Sequence, residues 1–262
     1  MGHYFKPIMT VGLRIIGSYF AWMRKYAKHQ QKYPLETRFK RLKNLLIAVN
    51  KSFNAVFKVF GQENLPKDEN FCIISNHLSN YDPLAYICTM DKPLAFVSKK
   101  EAEKFPFVGK CCKTIDCLFM DRKDLKQSLK VMMAVQKDLE EKKKNWAIFA
   151  EGTRNKDPLA ALREMHAGTF RPAVKSKTTI VPAVILGAQR LLKRKPVFKK
   201  YPVIISYLKP MKYEDYQKYS NDELAKLVRQ EIQKELTYHV RPLYHQLMLK
   251  YNPKKYRFNL AL

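Results

Sequence analysis

Hydrophobic positions along this chain change regime twice. Residues 8–23 (Ile8 to Met23) are largely apolar but are broken by Arg14, Gly17 and Ser18. A membrane-spanning helix needs about 20 apolar residues, and this stretch falls short. The segment Tyr19 to Arg24 offers no small-residue cleavage site, so a signal peptide is not predicted. Trp22 beside Arg24 and Lys25 suits a helix lying at a headgroup surface. Next, Leu35, Phe39, Leu42, Leu45, Leu46, Val49, Phe53, Val56, Phe57 and Phe60 recur at spacings of three and four. That spacing predicts an amphipathic helix from about Glu36 to Phe60, with Lys40, Arg41, Lys43, Lys51 and Lys58 on its polar positions. Such a stripe can face a protein core or a lipid surface. Its four phenylalanines and basic flank favour the surface, so residues 1–62 are expected to form a membrane-associating two-helix hairpin.

From residue 71 short apolar runs alternate with helical stretches. The runs Phe71–Ser75, Leu94–Ser98, Cys117–Met120, Trp146–Ala150, Ile180–Leu186 and Val203–Leu208 read as strands. Leu125, Leu129, Met132, Met133, Val135 and Leu139 mark one helix, and another is expected to begin near Pro158. Asn221 to about Leu249 again has helical spacing and reads as an amphipathic cover helix, with His239 and His245 as surface or packing residues. The expected fold class is α/β, a mostly parallel sheet covered by helices, over residues 63–262. In such sheets ligands bind beyond the carboxyl ends of the strands, which is where His77 and Glu151 fall.

Charge sharpens the picture. Fifty Lys and Arg against 23 Asp and Glu give a formal charge of +27 over 262 residues. Residues 1–60 hold twelve of the cations and one acid, Glu36. Such a field calls for an anionic partner: an acidic membrane surface, an acidic carrier protein or nucleic acid. Lys255-Tyr256-Arg257-Phe258 hints weakly at nucleic acid, but no known nucleic-acid module is present and none is expected as a partner. The five cysteines (Cys72, Cys88, Cys111, Cys112, Cys117) include no C-x-x-C and no nearby histidine. They support neither a disulfide framework nor a zinc site and read as reduced, mostly buried thiols.

Three stretches carry candidate chemistry. In Asn76-His77-Leu78-Ser79-Asn80-Tyr81-Asp82 an imidazole stands five residues before a carboxylate, which can orient it as a general base. Asp82-Pro83 could equally start a helix. In Phe149-Ala150-Glu151-Gly152-Thr153-Arg154 the glycine allows close backbone approach, the threonine offers a hydroxyl and the arginine a fork for phosphate. Between them, Lys99, Glu101, Pro106 and Gly109 are followed by Phe119, Asp121 and Arg122.

The order of these blocks, completed by Val181-Pro182-Ala183, resembles the glycerophospholipid acyltransferase superfamily, most closely the bacterial 1-acylglycerol-3-phosphate acyltransferases. The likeness covers about residues 71–186. Ala150 stands where that family usually has proline, Ala102 where it has leucine, and His166-Ala167-Gly168 where it often has Lys-x-Gly. The resemblance implies acyl transfer from a thioester (acyl carrier protein or coenzyme A, as co-substrate) to the free hydroxyl of lysophosphatidic acid. His77 would be the base and Asp82 its orienting group. Gly152, Thr153 and Arg154 would hold the phosphate with help from Lys99 and Arg122, while Glu151 fixes that arginine or a glycerol hydroxyl. No cofactor and no metal ion is implied, and the site of action is the cytoplasmic face of the cell membrane. Acylation of glycerol 3-phosphate or of another lysophospholipid stays open, as does an inactive membrane scaffold.

Overall fold

The structure, a computed structural model, describes residues 12–191 and 200–253. Ile8 to Val11 and the Lys255–Phe258 run lie outside the described residues. The chain opens with α1, helical through residues 12–28 and loosened by a π turn at Tyr19–Met23. After a short 3-10 turn comes α2 (Leu35–Ser52). Phe39, Leu42, Leu45, Leu46 and Val49 of its stripe are all buried in the protein core. The expected lipid-facing stripe is therefore corrected: those side chains are covered by protein. Buried Arg38 fixes the helix in place. It bonds both carboxylate oxygens of Asp116 (2.7 and 2.8 Å) and the carbonyl of Thr114 (2.6 Å).

A second correction concerns the end of that helix. It stops at Ser52, and Asn54 turns the chain in the left-handed region (φ 55°), which asparagine tolerates better than most residues. Ala55–Phe60 is a strand, β1. Its Val-Phe-Lys-Val-Phe sequence satisfies both the helical and the strand period, and β-branched and aromatic residues favour the strand once a pairing partner exists. The partner is a strand nearly 150 residues on in sequence, outside the reach of local periodicity.

The remaining elements are β2 (Phe71–Ser75), α3 (Asp82–Thr89), β3 (Leu94–Lys99), α4 (Pro106–Thr114), β4 (Leu118–Met120), α5 (Leu125–Glu140), β5 (Asn145–Phe149), α6 (Arg171–Lys175), β6 (Thr179–Leu186), β7 (Tyr201–Tyr207), α7 (Tyr213–Tyr216), α8 (Asn221–Glu235) and α9 (Arg241–Tyr251). No helix begins near Pro158. Residues 150–166 form an irregular loop whose backbone groups are bonded to side chains instead. The strands make one seven-stranded sheet in the order β1-β7-β6-β2-β5-β3-β4. Every neighbouring pair is parallel except β6 with β7. All residues of β2, β6 and β7 are buried, which is why these strands read as continuous apolar runs.

Candidate active site

Four neighbouring parallel strands, β2, β5, β3 and β4, end on the same edge of the sheet. His77 follows β2, Glu151 follows β5, Lys99 ends β3 and Arg122 follows β4. Asn76 sets the exit of β2: its side-chain amide donates to the Ile185 carbonyl (2.9 Å) and accepts the Ile185 N–H (2.8 Å). A side chain thus continues the β2–β6 ladder one step past its last paired residues, Ser75 and Ala183, and fixes where the chain turns away.

Asp82 is the first residue of α3, where a helix N-terminus favours negative charge, and Pro83 fits the first turn. It starts the helix without capping it: the N-cap position is Tyr81, and the Asp82 carboxylate turns back to the preceding loop. It is fully buried, and its Oδ2 accepts the Leu78 N–H (2.7 Å), the Ser79 N–H (2.8 Å) and a bond from His77 Nδ1 (2.9 Å). A carboxylate accepts and cannot donate, so Nδ1 carries the hydrogen and the Nε2 lone pair is left for a substrate proton. The other oxygen, Oδ1, is buried without a partner. The His77 ring stacks on Phe149, with centroids 4.3 Å apart and planes at 21°. Carboxylate and phenyl ring together fix its plane and tilt.

Glu151 is 2% exposed. Its Oε1 accepts the His77 N–H (2.8 Å) and its Oε2 accepts the Arg163 N–H (3.0 Å). Burial raises its pKa above the usual carboxylate range, while those two backbone bonds oppose the rise. Glu151 forms no bond with Arg154, and each of its oxygens is held by a backbone N–H. A buried carboxylate needs its lone pairs filled, and backbone groups fill them here. It clasps the His77 turn to the loop after β5. Asn155 closes the same clasp, its N–H donating to the His77 carbonyl (2.7 Å).

Gly152 sits at φ +64°, and His166 lies directly over it. A Cβ there would fall 2.7 Å from the ring's Cδ2, so a larger residue would be strained at this φ and would have to push the His166 ring aside. Thr153 and Arg154 are exposed just beyond. Lys99 and Arg122 are also exposed, at the ends of strands two and three places from β2, about 10 and 15 Å away at the usual strand spacing. Lys99 and Arg154 form no hydrogen bond or ion pair with any described residue, and Glu101 is the acidic group acting on Arg122. The structure thus joins His77, Asp82 and Glu151 in one network and leaves Lys99, Arg122, Thr153 and Arg154 as a loose rim. Local sequence gave no signal for Asn155 or Arg163 as members of the site, whereas Asn76 opens the His77 stretch and His166 stands where the family often has lysine. Among the described residues no group of three or more His, Cys, Asp or Glu side chains is placed to hold a metal ion.

Comparison with known proteins bears on the family and the fold. The family model described as Acyltransferase matches residues 56–186, the span from β1 to the end of β6. The 1-acyl-sn-glycerol-3-phosphate acyltransferase of Borreliella burgdorferi is 26% identical over 182 residues, covering 68% of this chain and 70% of that protein. A probable 1-acyl-sn-glycerol-3-phosphate acyltransferase of Mycoplasma pneumoniae is 29% identical over 185 residues, covering 69% and 68%. The crystal structure of the 1-acyl-sn-glycerophosphate acyltransferase PlsC from Thermotoga maritima superposes with a TM-score of 0.68 at 19% identity, over 87% of this chain and 94% of that one, a likeness of fold. With half its length matched by the family model, this chain belongs to the acyltransferase family.

Proposed function

We propose that this chain acylates the free hydroxyl of 1-acylglycerol 3-phosphate (lysophosphatidic acid) from an acyl thioester, giving phosphatidic acid. The names of its relatives support the acceptor. The observation that carries the chemistry is the 2.9 Å contact between His77 Nδ1 and a fully buried Asp82. Nε2 takes the proton from the substrate hydroxyl as its oxygen attacks the thioester carbonyl. The tetrahedral intermediate collapses, the C–S bond breaks, and the imidazolium returns the proton to the leaving thiolate. Asp82 stabilises the charged imidazolium between these steps. Arg154 and Thr153, with the backbone at Gly152, take the phosphate of the acceptor, and Lys99 and Arg122 supply further positive charge. Phosphate is held here and not transferred, so the reaction has no call for a divalent ion.

The acceptor and product are lipids, so the site has to reach a bilayer. No helix among the described residues is long and apolar enough to cross a membrane. Contact through α1 is the reading its surface supports. Leu13, Ile16 and Phe20 lie at helical spacing and are all exposed, whereas Trp22, Met23 and Tyr26 are buried. Beside Phe20 a cleft of about 540 Å³ is lined by Arg24, Lys25, Lys28, Lys110 and Lys113. An apolar ridge with cations at its foot suits the cytoplasmic leaflet, where each Lys or Arg near the surface is worth about 1 kcal/mol. The same charge could dock an acidic acyl carrier protein.

The test is acyl transfer by the purified chain to lysophosphatidic acid, with acyl carrier protein and coenzyme A thioesters in parallel and glycerol 3-phosphate as a second acceptor. Product with lysophosphatidic acid that disappears in His77→Ala is the expected result, with activity untouched by EDTA. Product with glycerol 3-phosphate alone would overturn the acceptor, and an active His77→Ala would overturn the base.

A further inference from the structure

The loop that clasps His77 is itself held from the far side by the C-terminal helix. Arg229 of α8 donates from Nη2 to the Leu162 carbonyl (2.5 Å) and from Nε to the carbonyls of Leu162 (3.1 Å) and Arg163 (3.0 Å). Gln233, one turn on, accepts the Leu162 N–H (2.7 Å). Arg241 of α9 donates to the carbonyls of Pro158 (3.2 Å) and Ala160 (2.5 Å). All three side chains are half-buried, and each is bonded to backbone of the loop between Glu151 and His166. That loop's Asn155 and Arg163 N–H groups hold the His77 carbonyl and the Glu151 carboxylate.

The spacing of the three residues is a consequence of backbone geometry. Gln233 and Arg241 are eight residues apart, and at about 100° per residue an unbroken α-helix would turn them about 80° from each other. Between α8 and α9 lies a π turn, Leu236–Val240, closed by the Arg241 N–H donating to the Leu236 carbonyl five residues back. The extra residue of that turn brings the separation down to about 20°, so Arg229, Gln233 and Arg241 share one face. Pro242 gives the sequence reason for it. Proline has no N–H for the carbonyl four residues back and its ring crowds that turn, so the ladder widens there.

We propose that Arg229, Gln233 and Arg241 are positioning residues for acyl transfer. They act as a clamp, aligned by the π turn, that holds the loop and through it the His77–Glu151 clasp. The inference rests on His77 as the base. None of the three need touch substrate: Arg229 and Arg241 donate to loop backbone, and Gln233 accepts from the loop while donating to the Thr237 hydroxyl. A base displaced by a fraction of an ångström loses rate while the rest of the protein stays folded.

The experiment compares wild-type protein with Arg229→Ala, Arg241→Ala and the double variant, all full length. Backbone amide exchange without substrate and steady-state acyl transfer are both measured well below the melting temperature. The double variant is expected to exchange its amides at Asn155, Leu162 and Arg163 at least about 10-fold faster, with those of β2 and β6 unchanged. Its kcat is expected to fall at least about 10-fold, with KM for the thioester within about twofold. Arg229→Lys, which keeps the charge but loses the fork, is expected to recover part of kcat. Unchanged loop exchange would overturn the clamp. Faster loop exchange with an unchanged kcat would overturn its part in positioning. Equal loosening of β2 and β6 would reduce it to ordinary stability, and the Lys variant, which perturbs packing least, repeats the reading if the double variant unfolds. Exchange is read without any acceptor, so a wrong acceptor or a wrong base leaves that arm standing.

Discussion

The two sides of the site are built in opposite ways. On the His77 side every group that sets the ring is buried or stacked: Asp82 at 0% exposure, Glu151 at 2%, Phe149 against the ring face. On the rim, Lys99, Arg122, Thr153 and Arg154 are exposed, and none of the four side chains forms a hydrogen bond or ion pair with a described residue. Under the proposed function the difference follows from what each side would have to do. A general base works only in one orientation and tautomer, so its setting is fixed before substrate arrives. Cations that meet a phosphate need only be near and free, because two charges attract over a wide range of geometry and the substrate supplies the missing order.

This contrast can be broken by mutation. Replacing His77 with Ala is expected to lower kcat by about 10³-fold or more with little change in KM. Asp82→Asn keeps the shape but can leave the ring in the wrong tautomer, and a fall of about 10²- to 10⁴-fold in kcat is expected. On the rim the effect moves to the other constant. Arg154→Ala removes a charge-assisted contact worth about 1.5–3 kcal/mol, so KM for the phosphate-bearing acceptor should rise about 10- to 100-fold while kcat holds. A kcat loss in Arg154→Ala as large as that in His77→Ala would erase the distinction. Replacing Leu13, Ile16 and Phe20 together by Ser should weaken binding to anionic vesicles without changing the melting temperature, since these side chains are exposed.

The smallest effect concerns Glu151. Burial raises its folded pKa, so between the unfolded value of about 4.3 and that raised value the native state holds more protons than the unfolded chain. Its contribution to stability therefore falls as pH rises through that window and is level above it. Glu151→Gln has no proton to lose, and denaturant melts from pH 4 to 7 should show that slope removed. An unchanged slope would mean that the backbone bonds from His77 and Arg163 cancel the burial.

A second pair, α1 and α2, shows how far periodicity can be trusted. Both helices carry an apolar stripe. That of α2 is buried, latched by Arg38 to Asp116, while α1 buries Met23 and Tyr26 on one face and exposes Leu13, Ile16 and Phe20 on another. The stripe says which residues avoid water. It does not say whether protein or lipid covers them, because both offer the same apolar surface.

Much of the α/β unit was legible in the chain. The alternation of buried runs and helices predicted six of the seven strands and the mostly parallel sheet, since strands covered on both faces must be apolar throughout. The His77–Asp82 pair and the Glu151–Arg154 turn were legible too, because each acts over a few residues. What the tertiary structure decided is whatever depends on a partner distant in sequence. Val56, Phe57 and Phe60 are strand because β7 is there to pair with them. Glu151 serves the backbone because the turn after β2 and the loop after β5 meet. Arg229 and Arg241 belong to the site because a π turn rotates them onto it. Sequence alone determined which chemical groups this protein owns and their local geometry. The fold decided which of them meet, since a carboxylate or guanidinium takes its role from the groups that fill its hydrogen bonds.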